Sequence, residues 1–428
     1  MPSHQSAYWS RPVFLTAVFA LGSCWLGCVT PPKQAQNSDT IRVGALLPFT
    51  GDLAASGANI ERALIWVVEQ VNNAGGVAGR KLELVTRDGG SDVEVGLAAA
   101  RDLVENENVI AIIGPENDDL AAVLLPYVEL HEVILISGGA TATSFSNATS
   151  GGIWFRTIPS SHAFAAVMAQ RIYAAGAQTL AIMFENNVFG NDMATLIQNE
   201  FVANGGTDVG GVPFTPGSGS YSDVLDRISA LAPQAVALVA YPKEGAAILQ
   251  DMGPIVGAVK WYLAHTLYSS AFVANTPVDE LMSMEGVAPA VSPDDKELFA
   301  SYFANRWPGD SPLLPAYFNY DALALLALAI EAAATDAGTG AVPNAAQISQ
   351  SLFRVSYSST GKAVSWSGID MALGLIRQQT AVNYRGASGS VDWLDSSGNV
   401  TNGEVQIWSV RDETVVNGDI VIATPLTQ

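Results

Sequence analysis

The chain has 428 residues, which is enough for two domains of ordinary size. Since 49% of its residues are hydrophobic, it can bury sizeable cores and does not have the composition of an intrinsically disordered chain. Its 41 acidic residues outnumber its 20 Lys and Arg residues, giving a formal net charge of -21. This excess of acid argues against a nucleic-acid partner, because binding a phosphate backbone needs clustered basic side chains.

The N-terminal segment has the pattern of an export signal. Arg11 closes a short polar start and is followed by an apolar run over 12–22. This run is shorter than the roughly 20 residues that a transmembrane helix needs, and it suits the hydrophobic part of a secretory signal. The sequence Leu21-Gly22-Ser23-Cys24 then resembles a bacterial lipoprotein box, in which the cysteine becomes lipidated.

We therefore expect residues 1–23 to be a lipoprotein signal peptide and residues 24–40 to be a polar, flexible tether. Cys24 is the favoured lipid anchor because Leu lies three residues before it, and Cys28 is the alternative. Two incidental cysteines in an ordinary signal peptide remain a third interpretation. The rest of the chain contains no cysteine, so a disulfide framework and a thiolate metal site are excluded there.

From residue 41 onward, apolar β-rich runs alternate with helical periodicity. The first half predicts strands over 41–47, 81–85, 109–114 and 133–136 and helices near 60–71, 92–105 and 118–130. After residue 158 the alternation restarts. It predicts strands over 180–184, 209–214, 235–239 and 260–263 and helices over 162–174, 191–203, 221–230 and 243–252. Such alternation with short loops indicates two doubly wound α/β units with parallel sheets.

The C-terminal third predicts more helices and then a β-rich tail. The predicted helices cover 294–307, 320–334 and 344–354, and extended segments are predicted over 390–393 and 405–410. The apolar stretch 322–334 is the nearest to a membrane span in this part of the chain. Because Glu331 interrupts it, we interpret it as a buried core helix.

No pattern in the sequence predicts catalysis, a cofactor or a metal. The four His residues lack metal-ligand spacing, and no phosphate-binding loop, dinucleotide fingerprint, nucleophile elbow or zinc motif occurs. We therefore predict no catalytic residue, no metal site and no cofactor. The acidic pair Asp118-Asp119 follows a buried strand, where Asn117 or Asp118 is expected to cap a helix. Capping does not exclude ligand contact, because this helix start faces the crevice at the strand end.

A series of short motifs then points to a known family. They are 46–51 (LLPFTG), 72–85 (NNAGGVAGRKLELV), 113–115 (IGP), 136–141 (ISGGAT), 155–157 (FRT), 320–322 (YDA) and 383–392 (NYRGASGSVD). In this order and spacing they resemble the leucine/isoleucine/valine-binding-protein family of type I periplasmic receptors for ABC transporters. The resemblance runs from about residue 41 to 412.

The resemblance implies a Venus-flytrap fold of two doubly wound α/β lobes joined by three crossovers. We expect these crossovers near 158–161, 285–289 and 382–392. Lobe one would then combine 41–158 with 289–382, and lobe two would combine 161–285 with 392–428. A ligand would bind in the cleft between the lobes and drive their closure through contacts made only in the closed state.

The resemblance also implies ligand-binding positions. The family's carboxylate-binding serine corresponds to Asp118, beside Asn117, and an Asp there would repel a ligand carboxylate. The loop Gly139-Ala140-Thr141 keeps the family pattern, and Ser56 stands in place of an aromatic residue. Thr266 lies where the family has its ammonium-binding acid, so Asp118 is expected to supply that charge instead.

In lobe two, the resemblance places Phe189 at a family tyrosine position and makes Tyr241 and Tyr268 cleft aromatics. The alternatives are that Thr141 is an ordinary loop hydroxyl, that Phe189 belongs to the core, and that both tyrosines are core or surface residues.

The function implied is an extracytoplasmic, lipid-anchored receptor of an ABC importer. It would capture a branched-chain-like amino acid or a related small polar solute and deliver it to an ABC permease. It would contact the membrane only through its N-terminal lipid, on the periplasmic or cell-surface face. The alternative is a sensor of amides or amino acids that signals to a regulator on the same fold. An enzyme is disfavoured because no nucleophile and base pattern is present.

Overall fold

The computed structural model describes residues 39–423 apart from 91, 147–151, 253–258, 339, 394–396, 402 and 412–413. All of these belong to one compact unit, Ser38–Gln428. The predicted signal peptide, Cys24, Cys28 and almost all of the predicted tether lie outside the described residues.

The elements alternate along the chain as the sequence predicts. The strands are β1 (Thr40–Leu47), β2 (Lys81–Asp88), β3 (Ala111–Ile113), β4 (Ile134–Ser137), β5 (Trp154–Arg156), β6 (Thr179–Glu185), β7 (Thr207–Phe214), β8 (Ala235–Val239), β9 (Lys260–Leu263), β10 (Glu285–Pro289), β11 (Lys362–Ser365), β12 (Val382–Arg385), β13 (Glu404–Arg411) and β14 (Thr414–Ile422). The helices are α1 (Ala54–Asn73), α2 (Val93–Arg101), α3 (Asp118–Leu130), α4 (Ser161–Ala174), α5 (Val188–Ala203), α6 (Ser222–Ala230), α7 (Pro242–Asp251), α8 (Ser270–Ala274), α9 (Val278–Leu281), α10 (Pro293–Arg306), α11 (Leu314–Ala337), α12 (Ala345–Ser356) and α13 (Ile369–Arg377).

The first lobe is built on a five-stranded sheet with the order β2-β1-β3-β4-β5, and its paired strands are parallel. Strands β3 and β4 are fully buried, which accounts for their unbroken apolar sequences. Strands β2 and β3 lie on opposite sides of β1, so the order in which strands are added reverses there. A crevice therefore opens between the carboxyl ends of β1 and β3, where ligands bind in such sheets.

Helix α11 is the central helix of the first lobe. Within the described part of the chain, it is the one helix long and apolar enough to cross a membrane, yet 89% of its most apolar window is buried inside the protein. The carboxylate of Glu331 is held by the N–H of Ala78 at 2.7 Å and by Nε of Arg377 at 2.9 Å. These contacts confirm the interpretation of this stretch as a core helix.

The second lobe is built on a seven-stranded sheet with the order β14-β13-β10-β9-β8-β6-β7. Strands β6 to β10 pair in parallel, whereas β13 pairs antiparallel to both β10 and β14. The C-terminal hairpin β13–β14 therefore completes the sheet at one edge.

Two of the expected connections lie elsewhere. Residues 285–289, expected as a crossover, form strand β10 inside the second sheet. Their short sequence EGVAP, with a charged residue, a glycine and a proline, looks the same in a connection and in a strand. Residues 382–392 instead pack on the first lobe, where Asp321 accepts hydrogen bonds from the Tyr384 hydroxyl and the N–H of Ala387, both at 2.8 Å. The predicted extended segment 390–393 forms no strand. The chain therefore joins the second sheet only at Glu404.

Candidate ligand-binding cleft

A cavity of about 330 Å³ lies between the two sheets. The first lobe lines it with the loops that follow β1, β3 and β4 and with the start of α11, and the second lobe with residues that follow β8 and β9. Much of the wall is apolar, with contributions from Leu53, Ala55, Ile158, Phe189, Pro242, Pro289, Leu313, Leu314 and Phe318. Such a wall suits a solute with an apolar body and a few polar groups.

Eight of the ten predicted ligand-binding residues line this cavity: Ser56, Asp118, Gly139, Thr141, Phe189, Tyr241, Thr266 and Tyr268. The other two lie behind the wall. Asn117 caps α3, accepting the N–H of Leu120 at 2.8 Å, and the N–H of Ala140 donates to Ser137 Oγ at 2.8 Å. Both are therefore residues that shape the loops.

Asp118 binds its own protein's loop rather than standing free for a ligand. Its Oδ1 accepts the N–H groups of Thr141 at 2.6 Å and Ala142 at 3.0 Å. Burial raises the pKa of Asp118 to about 7, although these two N–H groups and the charge of Arg156 act to lower it. The Thr141 hydroxyl accepts a hydrogen bond from Ser161 Oγ at 3.0 Å, so it also takes part in holding the loop.

Arg156 lies behind the same loop and is fully buried. Its guanidinium donates to the Ala142 carbonyl at 3.0 Å, to Asn399 Oδ1 at 2.7 Å and to the Ser146 hydroxyl. Burial lowers its pKa to about 10, while the charges of Asp118 and Asp192 act in the opposite direction. Arg156 therefore orders the loop and is not part of the cavity lining.

Glu116 is a cavity residue that the sequence reasoning missed. It is 7% exposed, and its Oε1 accepts Nδ2 of Asn319 at 3.0 Å. Among the described residues its Oε2 has no hydrogen-bond partner, and burial raises the pKa of the carboxyl to about 7. A Cβ at Gly139 would lie 2.6 Å from Oε2, so only glycine allows this close approach. Its position directly after the motif Ile113-Gly114-Pro115 is the signal that could have identified it.

The second lobe contributes a group of aromatic rings in contact with one another. Phe189 packs against Tyr241 with centroids 5.1 Å apart and edge-on against His265 at 5.4 Å. Burial lowers the pKa of His265 to about 3, so the ring is neutral, and its Nδ1 is buried without a partner in the described structure. Thr266 donates its hydroxyl to the Ala240 carbonyl at 2.6 Å. Phe189 is thus both a core residue and part of the wall.

Lys296 is the second cavity residue that the sequence did not reveal. Its Nζ donates to the Tyr268 hydroxyl at 3.4 Å, and that hydroxyl donates to Asn417 Oδ1 at 3.0 Å. In the described part of the chain, no carboxylate forms an ion pair with Lys296. Nothing in the sequence near Lys296 distinguishes it from the other surface lysines of a helix.

Three polar contacts join the lobes at the mouth of the cleft. Asp119 of the first lobe accepts the N–H of Val188 at 2.9 Å, at the start of α5. From the same helix, Asp192 accepts the N–H of Thr143 at 3.1 Å as well as its hydroxyl. An exposed Lys243 Nζ lies 3.7 Å from Asp52.

No group of three His, Cys, Asp or Glu side chains in the described residues is placed to hold a metal ion.

Comparison with known proteins agrees with this architecture. Residues 40–390 match the family model described as periplasmic binding protein. The chain is 29% identical over 363 residues to BasB of Halobacterium salinarum, the substrate-binding protein of a chemotactic signal transduction system, covering 82% of this chain and 83% of the relative. It is 22% identical over 331 residues to the Leu/Ile/Val-binding protein BraC3 of Rhizobium johnstonii, covering 76% and 90%.

Solved structures share the fold. The leucine-binding protein LivK of Thermotoga maritima superposes with a TM-score of 0.74 at 19% identity, covering 89% of this chain and 98% of its own. LivJ of Streptococcus pneumoniae, solved with isoleucine, gives 0.72 at 16% identity, covering 90% and 99%. The type I fold with two α/β lobes is therefore confirmed.

The relatives and structural neighbours are solute-binding proteins and not enzymes. The match to the family model extends over most of the chain, and the named relatives span both lobes. The chain therefore belongs to the periplasmic binding protein family, as its resemblance to the leucine/isoleucine/valine-binding proteins implies.

Proposed function

We propose that this protein is an extracytoplasmic receptor that closes its lobes around its ligand. The ligand is a branched-chain-like amino acid or a related small polar solute. The cavity between the two sheets carries this proposal, since it combines a mainly apolar wall with a few buried polar groups. Its volume of about 330 Å³ lies in the range of small-molecule sites. Family membership indicates an extracytoplasmic location.

In this proposal the receptor delivers its solute to an ABC permease. The relatives and neighbours named Leu/Ile/Val-binding protein, LivK and LivJ support this role. A lipid on Cys24, or alternatively on Cys28, holds the receptor at the membrane, and the tether up to residue 40 gives it reach.

The second candidate is a sensor that reports its ligand to a regulator. The similarity to BasB, a substrate-binding protein of a chemotactic system, favours this candidate, and the similar region extends over both lobes. Loss of the gene distinguishes the two roles. An importer receptor is required for uptake of the radiolabelled solute, whereas a sensor is required for the behavioural response while uptake continues.

Thermal denaturation of the purified protein against a solute panel tests the capture itself. The panel contains branched-chain and other amino acids, amides, amines and small carboxylates. A ligand present at 100 times its Kd is expected to add about 2.7 kcal/mol to the free energy of unfolding, because it binds only the folded state. If no member of the panel raises the melting temperature, the proposed function is contradicted.

A further inference from the structure

Three carboxylates and one lysine line the cavity. Glu116 and Asp118 line it at the carboxyl end of β3, and Asp52, which follows β1, lies 3.7 Å from Lys243 Nζ. Lys296, on α10, is the single lysine or arginine among the lining residues that the structure describes. Glu116 and Asp118 form no salt bridge in the described structure, and neither does Lys296. A solute with groups of opposite charge would therefore find a carboxylate for its cationic group and a lysine for its anionic group.

The loop after β4 has no free N–H groups for a ligand anion between Gly139 and Ala142. The N–H groups of Gly139 and Ala140 donate to Ser137 Oγ at 3.1 and 2.8 Å. Those of Thr141 and Ala142 donate to Asp118. The side chain of Asp118 thus occupies the donors that a ligand carboxylate would need, and its ionised form repels such a group.

Glu116 is the acceptor that a cationic group would find. It is 7% exposed, only one of its oxygens is hydrogen-bonded within the described structure, and the other lies against Gly139 on the cavity wall. A buried carboxylate without a counter-charge is costly, and a cation placed beside it removes part of that cost. Burial raises the pKa of this group, and a cation beside it would act in the opposite direction.

Lys296 is the donor that an acid group would find in the cavity. It is half-buried, and its ammonium lies 5.9 Å from the centre of the Tyr268 ring. One of its three N–H groups is directed to the Tyr268 hydroxyl, so two remain available. The hydroxyl in turn is held by Asn417, which fixes the tyrosine beside the lysine.

We propose that the ligand lies across the cavity with its cationic group on Glu116 and its acid or other acceptor group on Lys296, and that Asp118 excludes that acid group from the Thr141 loop. This assignment rests on the proposed function and names the chemistry that selects the solute. It predicts that the two charged groups of the ligand are recognised by independent residues in the first lobe.

Three probes separate the two contacts: L-leucine, isoamylamine, which lacks the carboxylate, and isocaproate, which lacks the amine. Calorimetric titration of the protein is expected to show that Glu116→Gln weakens leucine and isoamylamine at least tenfold and leaves isocaproate unchanged. Lys296→Met is expected to weaken leucine and isocaproate at least tenfold and to leave isoamylamine unchanged. Glu116→Gln keeps the oxygen that Asn319 contacts, so the loop remains held.

Matched controls come from the same chain. Glu200→Gln removes a carboxylate that is 6% exposed and paired with His162 outside the cavity, and Lys260→Met removes a lysine that also lies over a tyrosine ring, Tyr262, at 4.9 Å. Both controls are expected to bind all three probes as the wild type does. The inference is overturned if leucine binds the wild type and Glu116→Gln or Lys296→Met leaves its affinity unchanged, or if each variant weakens all three probes alike. A wild type that binds no solute of the thermal panel contradicts the proposed function itself.

Discussion

At the scale of single residues, this protein contains several buried carboxyl groups whose pKa is raised by burial. Glu116 and Asp118 line the cavity, and Glu185 lies behind Tyr241, whose N–H it accepts at 2.7 Å. Burial raises the pKa of Glu185 to about 8, and the charges of Asp52 and Glu244 act in the same direction. The second lobe therefore has a titrating group of its own, outside the cavity lining.

The stability contribution of Glu185 is predicted to fall as the pH rises. Its ordinary pKa of 4.5 applies to the unfolded chain, so between about pH 5 and pH 8 the folded state retains a proton that the unfolded state has lost. The free energy of unfolding of the wild type should therefore decrease relative to Glu185→Gln over this range, by about 1.4 kcal/mol per unit of pKa difference. Urea denaturation at pH 5, 6, 7 and 8 measures this. Parallel pH profiles of wild type and variant would contradict the prediction.

At the scale of secondary structure elements, an aromatic cluster joins three helices behind the cavity wall. Phe299 of α10 lies 5.1 Å from Trp66 of α1, 4.4 Å from Tyr317 and 5.2 Å from Tyr320 of α11, measured between ring centroids. Trp366 contacts the same ring at 5.2 Å. Because Tyr317 lines the cavity, this cluster holds one side of the wall in place.

Removal of the central ring is predicted to destabilise the first lobe. Phe299 is fully buried, so Phe299→Ala should lower the free energy of unfolding by about 3–5 kcal/mol through lost burial and the cavity left behind. Phe299→Leu should cost less, because it refills part of the space. The neighbouring Tyr302 is 50% exposed, and Tyr302→Ala serves as the control with a smaller loss. Chemical denaturation measures all three, and a loss below 1 kcal/mol for Phe299→Ala would refute the central role of this ring.

The alternation of strands and helices was predictable from the sequence because apolar periods differ between the two. Helix α3 and strands β8 and β9 have the predicted bounds. Strand β10 was missed because five residues with the sequence EGVAP carry no periodicity that separates a strand from a connection. Strand β14 was missed because its exposed residues give it a mixed pattern at the sheet edge.

The candidate site was predictable only where a motif marked it. Asp118, Gly139 and Thr141 were identified from loops that follow buried strands. The structural role of Asp118 was not predictable, because its hydrogen bonds with Thr141 and Ala142 depend on how two loops pack against each other. Lys296 comes from a helix far along the chain, and its place in the cavity follows from the tertiary fold alone.

At the scale of the whole molecule, the contacts at the cleft mouth connect closure to particular side chains. Asp119 binds the start of α5 from the first lobe, and Asp192 of α5 binds Thr143 in return. Both carboxylates bridge the lobes, so these bonds exist only while the lobes are close together. They favour the closed arrangement over the open one.

Asp192→Ala is predicted to weaken ligand binding about tenfold without contact to the ligand. Hydrogen bonds to a charged group contribute about 1.5–3 kcal/mol, and their loss shifts the lobes toward the open state. Titration calorimetry gives the affinity, and small-angle X-ray scattering at subsaturating ligand should show a larger radius of gyration than for the wild type. Asp208→Ala, on β7 of the same lobe, is the control and should behave as the wild type. Unchanged affinity together with unchanged scattering for Asp192→Ala would exclude this role.

The hairpin of β13 and β14 lies beyond residue 390, where the match to the family model ends. It nevertheless supplies two strands of the second sheet, Val415 in the cavity wall and Asn417 behind Tyr268. A biosensor engineered from this binding protein must therefore retain the chain through residue 423. A sensor truncated at residue 390 would lose Val415 from the cavity wall and the hydrogen bond between Tyr268 and Asn417, and with them part of the ligand site.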